Sequence, residues 1–190
     1  MLSSIMVAGR SAFASRNLSP QIELDENRMA ALAAFTGLSL QTDRPIPFGC
    51  SIVNTKTGEL LLRARNAVAR EFDPSSHAEV RAIRLATKRL KSVSLSGYTL
   101  YTTCEPCPMC MSAALWASLD RVVFGATIED CNRHCRQIQI PATEVAARSD
   151  MHCIVDGPVL HDVCYALFTH PNMLKAFSTW STSKQATANK

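Results

Sequence analysis

Three potential metal ligands and one carboxylate occupy two short segments of the chain. His77-Ala78-Glu79 supplies an imidazole and a carboxylate, and Pro106-Cys107-Pro108-Met109-Cys110 supplies two thiols. One His and two Cys are typical of a catalytic zinc site, because three protein ligands leave the fourth tetrahedral position open. Zinc lowers the pKa of a water in that position from about 15.7 to about 7. If Glu79 does not ligate the metal, it can take a proton from this water and pass it on.

The local sequence places both segments at the starts of helices. Cys107 and Cys110 are three residues apart and therefore share one face of a helix, and Pro106 suits its beginning. Both thiolates then lie near the positive end of the helix dipole, which lowers their pKa. His77 opens a second helical pattern that Ser76 can cap. The sequence therefore predicts two helix starts that face one metal ion.

Neither segment is specific when it is taken alone. A Cys-x-x-Cys pair is also found in redox pairs, in halves of structural zinc sites and by chance in buried segments. A His-x-Glu triplet alone carries little information. The two occur here in a defined order, with Thr102–Pro106 leading into the cysteines. This combination favours one zinc ion per chain, bound by His77, Cys107 and Cys110, with Glu79 as a catalytic proton shuttle.

His-x-Glu followed by Pro-Cys-x-x-Cys is the signature of the zinc nucleobase deaminases. From about Pro47 to about Ala126, the chain resembles the cytidine and deoxycytidylate deaminase superfamily. Its run from 104 to 110, with Ala113 and Trp116 beyond it, looks most like the guanine deaminases, and the tRNA adenosine deaminases are similar. This resemblance implies a three-layer α/β/α cytidine deaminase-like fold, a mixed five-stranded sheet with helices on both faces.

The resemblance also implies a set of substrate contacts. Asn66 matches an Asn that bonds the base or sugar, although Asn is also a common turn residue. Phe48 matches a residue that lines the pocket, and Trp116 is expected near the base, where an aromatic ring suits a flat purine. Either aromatic side chain could equally belong to the core. The backbone N–H of Ala78, at a helix start, can stabilise negative charge that develops during attack.

One region departs from the guanine deaminase pattern. Glu129 and Asp130 are acidic but are not in register with the acidic segment of those enzymes, so guanine specificity stays open. In the same region Cys131, His134 and Cys135 share one helical face, which permits a second metal site. The alternative is an ordinary half-buried segment near the mouth of the pocket.

The 190 residues are enough for one domain with a full hydrophobic core. We expect an N-terminal extension at 1–22, a zinc deaminase domain at 23–177 and a flexible tail at 178–190. The extension lacks acidic residues, as organellar targeting segments do, but a disordered extension is the favoured interpretation. Strand–helix alternation in the second half predicts parallel pairing of the later strands. Helices are predicted at 23–40, 77–90, 142–147 and 159–168, and strands at 48–53, 59–64, 98–103, 121–125 and 152–155.

The predicted function is deamination of a purine-type nucleobase or nucleoside. The alternatives are deamination of the wobble adenosine of tRNA and a zinc-bearing interaction module without catalysis. A net charge of +4 neither requires nor excludes nucleic acid. The stripe of Arg81, Arg84, Lys88 and Lys91 fits either a tRNA-binding face or, more commonly, a solvated surface.

Composition sets the expected surroundings of the protein. No run of the chain approaches 18 apolar residues, so we expect no membrane partner. Four of the eight cysteines lie in apolar patterns and are expected to be buried thiols in a reducing cytoplasm; they are Cys50, Cys104, Cys153 and Cys164. The other expected partner is a second copy of the chain, in a homodimer.

Overall fold

The structure is a computed structural model that describes the backbone of residues 19–188 and the side chains of residues 19–180. The helices are α1 (Pro20–Gly37), α2 (Val68–Glu71), α3 (Ala78–Leu90), α4 (Pro108–Trp116), α5 (Ile128–Asn132), α6 (Ala142–Ala147), α7 (His161–Thr169) and α8 (Pro171–Ala188). The strands are β1 (Gly49–Asn54), β2 (Leu60–Arg65), β3 (Tyr98–Cys104), β4 (Arg121–Ala126) and β5 (Ile154–Asp156). No helix in this part of the chain is both long and apolar enough to cross a membrane.

The five strands form one mixed sheet in the order β2-β1-β3-β4-β5. β1 runs antiparallel to both of its neighbours, β2 and β3. β3, β4 and β5 run parallel to one another. The predicted parallel pairing of the later strands is therefore confirmed, and so is the mixed five-stranded sheet.

Helices cover both faces of the sheet, as the alternation of side chains along the strands requires. Leu100 and Val122 point into a core that they share with α3, α4 and α6. Their neighbours Tyr101 and Val123 point into the opposite core, built with α1, α7 and α8. The three-layer α/β/α arrangement expected from the resemblance is confirmed. Of the four cysteines expected to be buried, Cys153 is only half-buried, because it precedes the edge strand β5.

A buried ion pair fastens α1 to the sheet. Arg121 of β4 donates from Nη1 and Nη2 to Asp25 of α1, at 2.9 and 2.8 Å, and from Nε to Asp156 of β5 at 2.6 Å. Tyr101 of β3 also donates its hydroxyl to Asp25. Burial of Asp25 opposes its ionisation, but these hydrogen bonds hold the pKa of its carboxyl below the ordinary value.

Several boundaries differ from the predictions. α1 begins at Pro20, three residues before the predicted domain start, because Ser19 accepts a hydrogen bond from the backbone N–H of Ile22 as its N-cap. The short helices α2 and α5 and the long helix α8 were not predicted, and α8 continues past position 178. Residues 1–18 lie outside the described part of the chain. The extension and the flexible tail therefore stay predictions.

Candidate active site

His77, Cys107 and Cys110 bring one nitrogen and two sulfur atoms together. The distance between the two Sγ atoms is 3.6 Å, and Nδ1 of His77 lies 3.7 Å from Cys107 and 3.5 Å from Cys110. A tetrahedral zinc with bonds of about 2.3 Å to sulfur and about 2.0–2.1 Å to nitrogen sets these edges at about 3.8 and 3.6 Å. Within the described residues, only this group of His, Cys, Asp and Glu side chains could hold a metal ion. The three predicted ligands therefore fit zinc.

The ends of two helices hold these ligands, as the sequence predicted. His77 is the N-cap residue of α3 and Cys107 is the N-cap residue of α4, each with extended backbone angles. Cys110 lies in the first turn of α4. The positive ends of both helix dipoles therefore point toward the thiols and favour their ionised form. The prediction for Ser76 was wrong, because its hydroxyl donates to Glu71, at 2.7 Å, and does not cap α3.

The surroundings of the two thiols shift their pKa values in opposite directions. The sulfur contact with Cys110, helped by His77, lowers the pKa of Cys107 to about 4. The same contact, together with burial, keeps the pKa of Cys110 well above its ordinary value. The pKa of His77 is raised, chiefly by its hydrogen bond with Cys107. A bound divalent cation ionises coordinating thiols outright.

Glu79 lies beside the three metal-ligand atoms but is not one of them. Its carboxylate is buried; Oε1 accepts a hydrogen bond from the hydroxyl of Thr102 at 3.1 Å, and Oε2 lies 3.6 Å from Sγ of Cys110. Burial raises the pKa of Glu79, which brings its acid and base forms closer in energy near neutral pH. Such a carboxyl group is suited to proton transfer. Thr102 was not predicted as its partner, because this contact depends on β3 lying beneath α3.

A cavity of about 350 Å³ opens onto this site. His77, Glu79 and Cys107 line it, together with the predicted substrate contacts Phe48 and Asn66. The side-chain carbonyl of Asn66 also accepts a hydrogen bond from the backbone N–H of Val68, at 3.1 Å, so the side chain has a defined orientation. The remaining lining residues come from several elements; they are Val68, Ala69, Cys104, Glu105, Cys135, Arg136, Gln137 and Trp180.

The structure does not bring two of the predicted substrate contacts into this lining. Trp116 is the last residue of α4, is 76% exposed and is not among the described residues that line this cavity, so its contact with the base stays a prediction. Trp180 of α8 supplies an aromatic ring to the cavity instead. Ala78 is fully buried in the first turn of α3, where only its backbone N–H can serve the predicted role. The sequence contains one indication of this role: Met173, Phe177 and Trp180 are apolar residues with the spacing of one helical face.

Glu105 is a further residue that sequence reasoning missed. Its buried carboxylate accepts hydrogen bonds from the backbone N–H of Ile128, at 3.0 Å, and of Ala142, at 2.8 Å. The segment between these two residues carries Cys135, Arg136 and Gln137 into the cavity. Glu105 therefore attaches one wall of the cavity to the loop that bears the metal ligands.

The second metal site suggested by Cys131, His134 and Cys135 is not formed. Cys131 is fully buried in the core beside α1 and α7. His134 bonds the hydroxyl of Tyr165 through Nε2, at 3.1 Å, and Cys135 lines the cavity. The three residues do not share one helical face in the structure, because α5 ends at Asn132, before His134 and Cys135.

The two acidic residues of the same region differ in their surroundings. Asp130 forms a capping box with Thr127 at the start of α5 and binds Nε2 of His161 at 2.8 Å. Glu129 is 77% exposed in its side chain. Neither residue is among the described residues that line the cavity.

The basic stripe of α3 is partly occupied by internal ion pairs. Arg81 pairs with Glu71 at 3.0 Å, and Arg84 pairs with Asp73 at 3.0 Å. Both carboxylates belong to the segment that leads into His77. Two of the four basic residues therefore pair with carboxylates of the chain itself, whereas Lys88 and Lys91 are exposed.

Comparisons with known proteins agree with this geometry. Residues 23–126 match the family model described as the cytidine and deoxycytidylate deaminase zinc-binding region. A guanine deaminase of Bacillus subtilis is 45% identical over 84 residues, which are 44% of this chain and 53% of that protein. A probable cytosine deaminase of Schizosaccharomyces pombe is 32% identical over 148 residues, 74% of this chain and 89% of that protein. The chain thus spans about half the length of the first relative and most of the second.

The fold is also found among solved structures. A guanine deaminase from Nitrosomonas europaea superposes with a TM-score of 0.69 at 22% identity, covering 86% of this chain and 99% of that one. At this level of identity, the likeness shows the shared fold.

Proposed function

Because this chain belongs to the cytidine and deoxycytidylate deaminase family, we propose that it is a zinc-dependent hydrolytic deaminase of a purine-type nucleobase or nucleoside. The observation that carries the proposal is the arrangement of three donors with zinc-sized edges beside a buried carboxylate that faces a cavity. The reaction replaces the amino group of the base with an oxygen from water and releases ammonia.

Glu79 moves the protons in this reaction. His77, Cys107 and Cys110 hold the zinc, which when bound supplies a Lewis acid that makes water a strong nucleophile at neutral pH. Glu79 takes one proton from the attacking water and delivers it to a ring nitrogen of the base. It then takes the remaining hydroxyl proton to the amino group, which leaves as ammonia. The hydrogen bond from Thr102 keeps the carboxylate in place between these transfers.

The cavity and the surface charge favour a small substrate over tRNA. A cavity of about 350 Å³ is at the small end of the range for ligand sites. Phe48 and Trp180 supply it with aromatic rings, which suit a flat base. Arg81 and Arg84 already pair with carboxylates, which weakens the stripe as a binding face for phosphates. The similarity to a guanine deaminase favours a purine, and the similarity to a probable cytosine deaminase makes cytosine the second candidate.

A panel of substrates tests this proposal. The zinc-loaded protein is incubated with guanine, adenine and cytosine, with their nucleosides, and with tRNA that carries a wobble adenosine. Ammonia and product mass are measured. We expect turnover of a purine base or nucleoside that changes little between low and physiological salt. Exclusive editing of the tRNA would refute the small-substrate assignment, and a zinc-bound protein inactive on every substrate would support the interaction module.

We also propose a cytoplasmic homodimer. Met109 and Trp116 lie seven residues apart on one face of α4 and are 37% and 76% exposed, with the small residues Ser112 and Ala113 between them. Two exposed large apolar side chains on one face of a helix favour a protein interface. Trp116→Glu should convert the dimer to a monomer in sedimentation experiments, whereas Lys88→Glu on α3 should not. A wild-type protein that sediments as a monomer would refute this assignment.

A further inference from the structure

A second cavity lies next to the active-site cavity. It has a volume of about 720 Å³ and shares Asn66, Ala69 and Trp180 with the inner cavity. We call it the outer groove. Asn66 therefore borders both the cavity that contains Glu79 and the outer groove. A free base uses none of this space.

The outer groove is positively charged. Arg44, Arg70 and Lys175 line it, and Asp43 is the one carboxylate among its described lining residues. Arg70 pairs with Glu71 at 2.9 Å, but the side chain of Arg70 is 64% exposed, and exposed pairs of this kind are weak. Arg44 and Lys175 are exposed, and neither forms an ion pair with a residue that the structure describes.

These cations come from parts of the chain that are far apart in sequence. Arg44 precedes β1, Arg70 lies in α2, and Lys175 lies in α8. Lys175 also lies outside residues 23–126, the span that matches the deaminase family model. The fold thus gathers positive charge in a groove next to the cavity that contains Glu79.

We propose that the outer groove binds the phosphate of the substrate, so that the preferred substrate is a purine nucleoside 5′-monophosphate. This inference rests on the proposed deaminase function. The base lies beside Glu79, the sugar passes Asn66, and the phosphate lies among Arg44, Arg70 and Lys175. A terminal phosphate carries close to two negative charges at neutral pH and accepts strong hydrogen bonds from guanidinium and ammonium groups.

A single nucleotide fits the distribution of charge better than a nucleic-acid strand. A strand needs cations along a path of successive phosphates. In α3, the helix that carries the other basic stripe, Arg81 and Arg84 are paired with carboxylates. The outer groove instead places Arg44 and Lys175, which form no ion pair with a described residue, on one lining together with Arg70.

The test compares substrates and variants. The zinc-loaded protein is assayed with guanine, adenine and cytosine, with their nucleosides and nucleoside 5′-monophosphates, and with a single-stranded oligonucleotide that carries the target base. The groove variant combines Arg44→Ala and Lys175→Ala, two exposed side chains outside the catalytic site. A control variant combines Lys88→Ala and Arg148→Ala, which removes the same charge from exposed positions outside both cavities.

We expect the wild-type kcat/KM to be at least about tenfold higher for a nucleotide than for its nucleoside. In the groove variant, kcat/KM should fall about tenfold for the nucleotide and less than about twofold for the nucleoside. The control variant should change neither value, and ribose 5-phosphate should compete with the nucleotide in the wild-type protein alone.

Three outcomes would overturn the phosphate site. The first is a kcat/KM for the nucleoside or base that equals or exceeds the kcat/KM for the nucleotide. The second is an equal fall in kcat/KM for all substrates in the groove variant. The third is a higher kcat/KM for the oligonucleotide than for the nucleotide. Each of these leaves the deaminase function intact. Absence of turnover on every substrate would refute the proposed function itself, and the inference with it.

Discussion

Replacing Glu79 with Gln should remove catalysis while keeping the zinc and the fold. Gln has nearly the same shape as Glu and retains an oxygen that can accept the hydrogen bond from Thr102, which is 3.1 Å long in the native chain. The amide cannot take up a proton from water. General acid–base groups contribute about 10² to 10⁴ in rate, which corresponds to a rise in the activation free energy of about 2.7–5.4 kcal/mol. We expect kcat to fall within or beyond this range.

Three measurements on the purified Glu79→Gln protein check this reasoning: kcat from ammonia release, zinc from elemental analysis, and the midpoint of thermal unfolding. The matched control is Thr102→Val, which keeps the carboxylate but removes its hydrogen bond. A hydrogen bond to a charged group is worth about 1.5 kcal/mol or somewhat more, so kcat should fall only about tenfold. If Glu79→Gln lost its zinc, Glu79 would be a ligand and the assignment of proton transfer would be wrong. Retention of more than a tenth of the wild-type kcat would also refute it.

Three further predictions concern the metal and the fold. Protein purified without added metal should contain one zinc per chain by elemental analysis, and its removal by a chelator should abolish turnover and lower the unfolding temperature. Glu105→Ala leaves two buried backbone N–H groups without their acceptor, so denaturant unfolding should show a loss of about 2–6 kcal/mol. Asp25→Asn should destabilise the protein by about 3 kcal/mol at neutral pH, because Arg121 loses its main partner but keeps Asp156. Since the folded state lowers the pKa of Asp25, this stabilisation is complete above the unfolded-state pKa of about 3.9 and disappears as the pH falls through the lowered value. The difference between wild type and Asp25→Asn should therefore shrink in acid, and a constant difference would contradict the ion-pair interpretation.

The elements that could be predicted are those whose signals are local. The i, i+3 spacing of Cys107 and Cys110, with Pro106 before them, predicted the start of a helix, and in the structure α4 begins two residues later, at Pro108. The predicted strands agree with the observed strand positions to within about two residues. α8 was missed because the polar composition of its last residues resembles that of a disordered tail. Its apolar face, with Met173 and Phe177, becomes evident only when it packs against the core beside α1 and α7.

The sequence by itself determined the chemistry of the site, because the three metal ligands and Glu79 belong to two short segments whose own backbone patterns place them at helix starts. Only the tertiary structure decided what surrounds that chemistry. Thr102 reaches Glu79 because β3 is the central strand of the sheet, and Trp180 reaches the cavity because α8 folds back beside it. Trp116 points to solvent, although it is close to Cys110 in sequence, because it ends α4 on the exposed face of that helix. Contacts between residues far apart in sequence depend on the order of the strands and the packing of helices, and no local pattern of residues specifies either one.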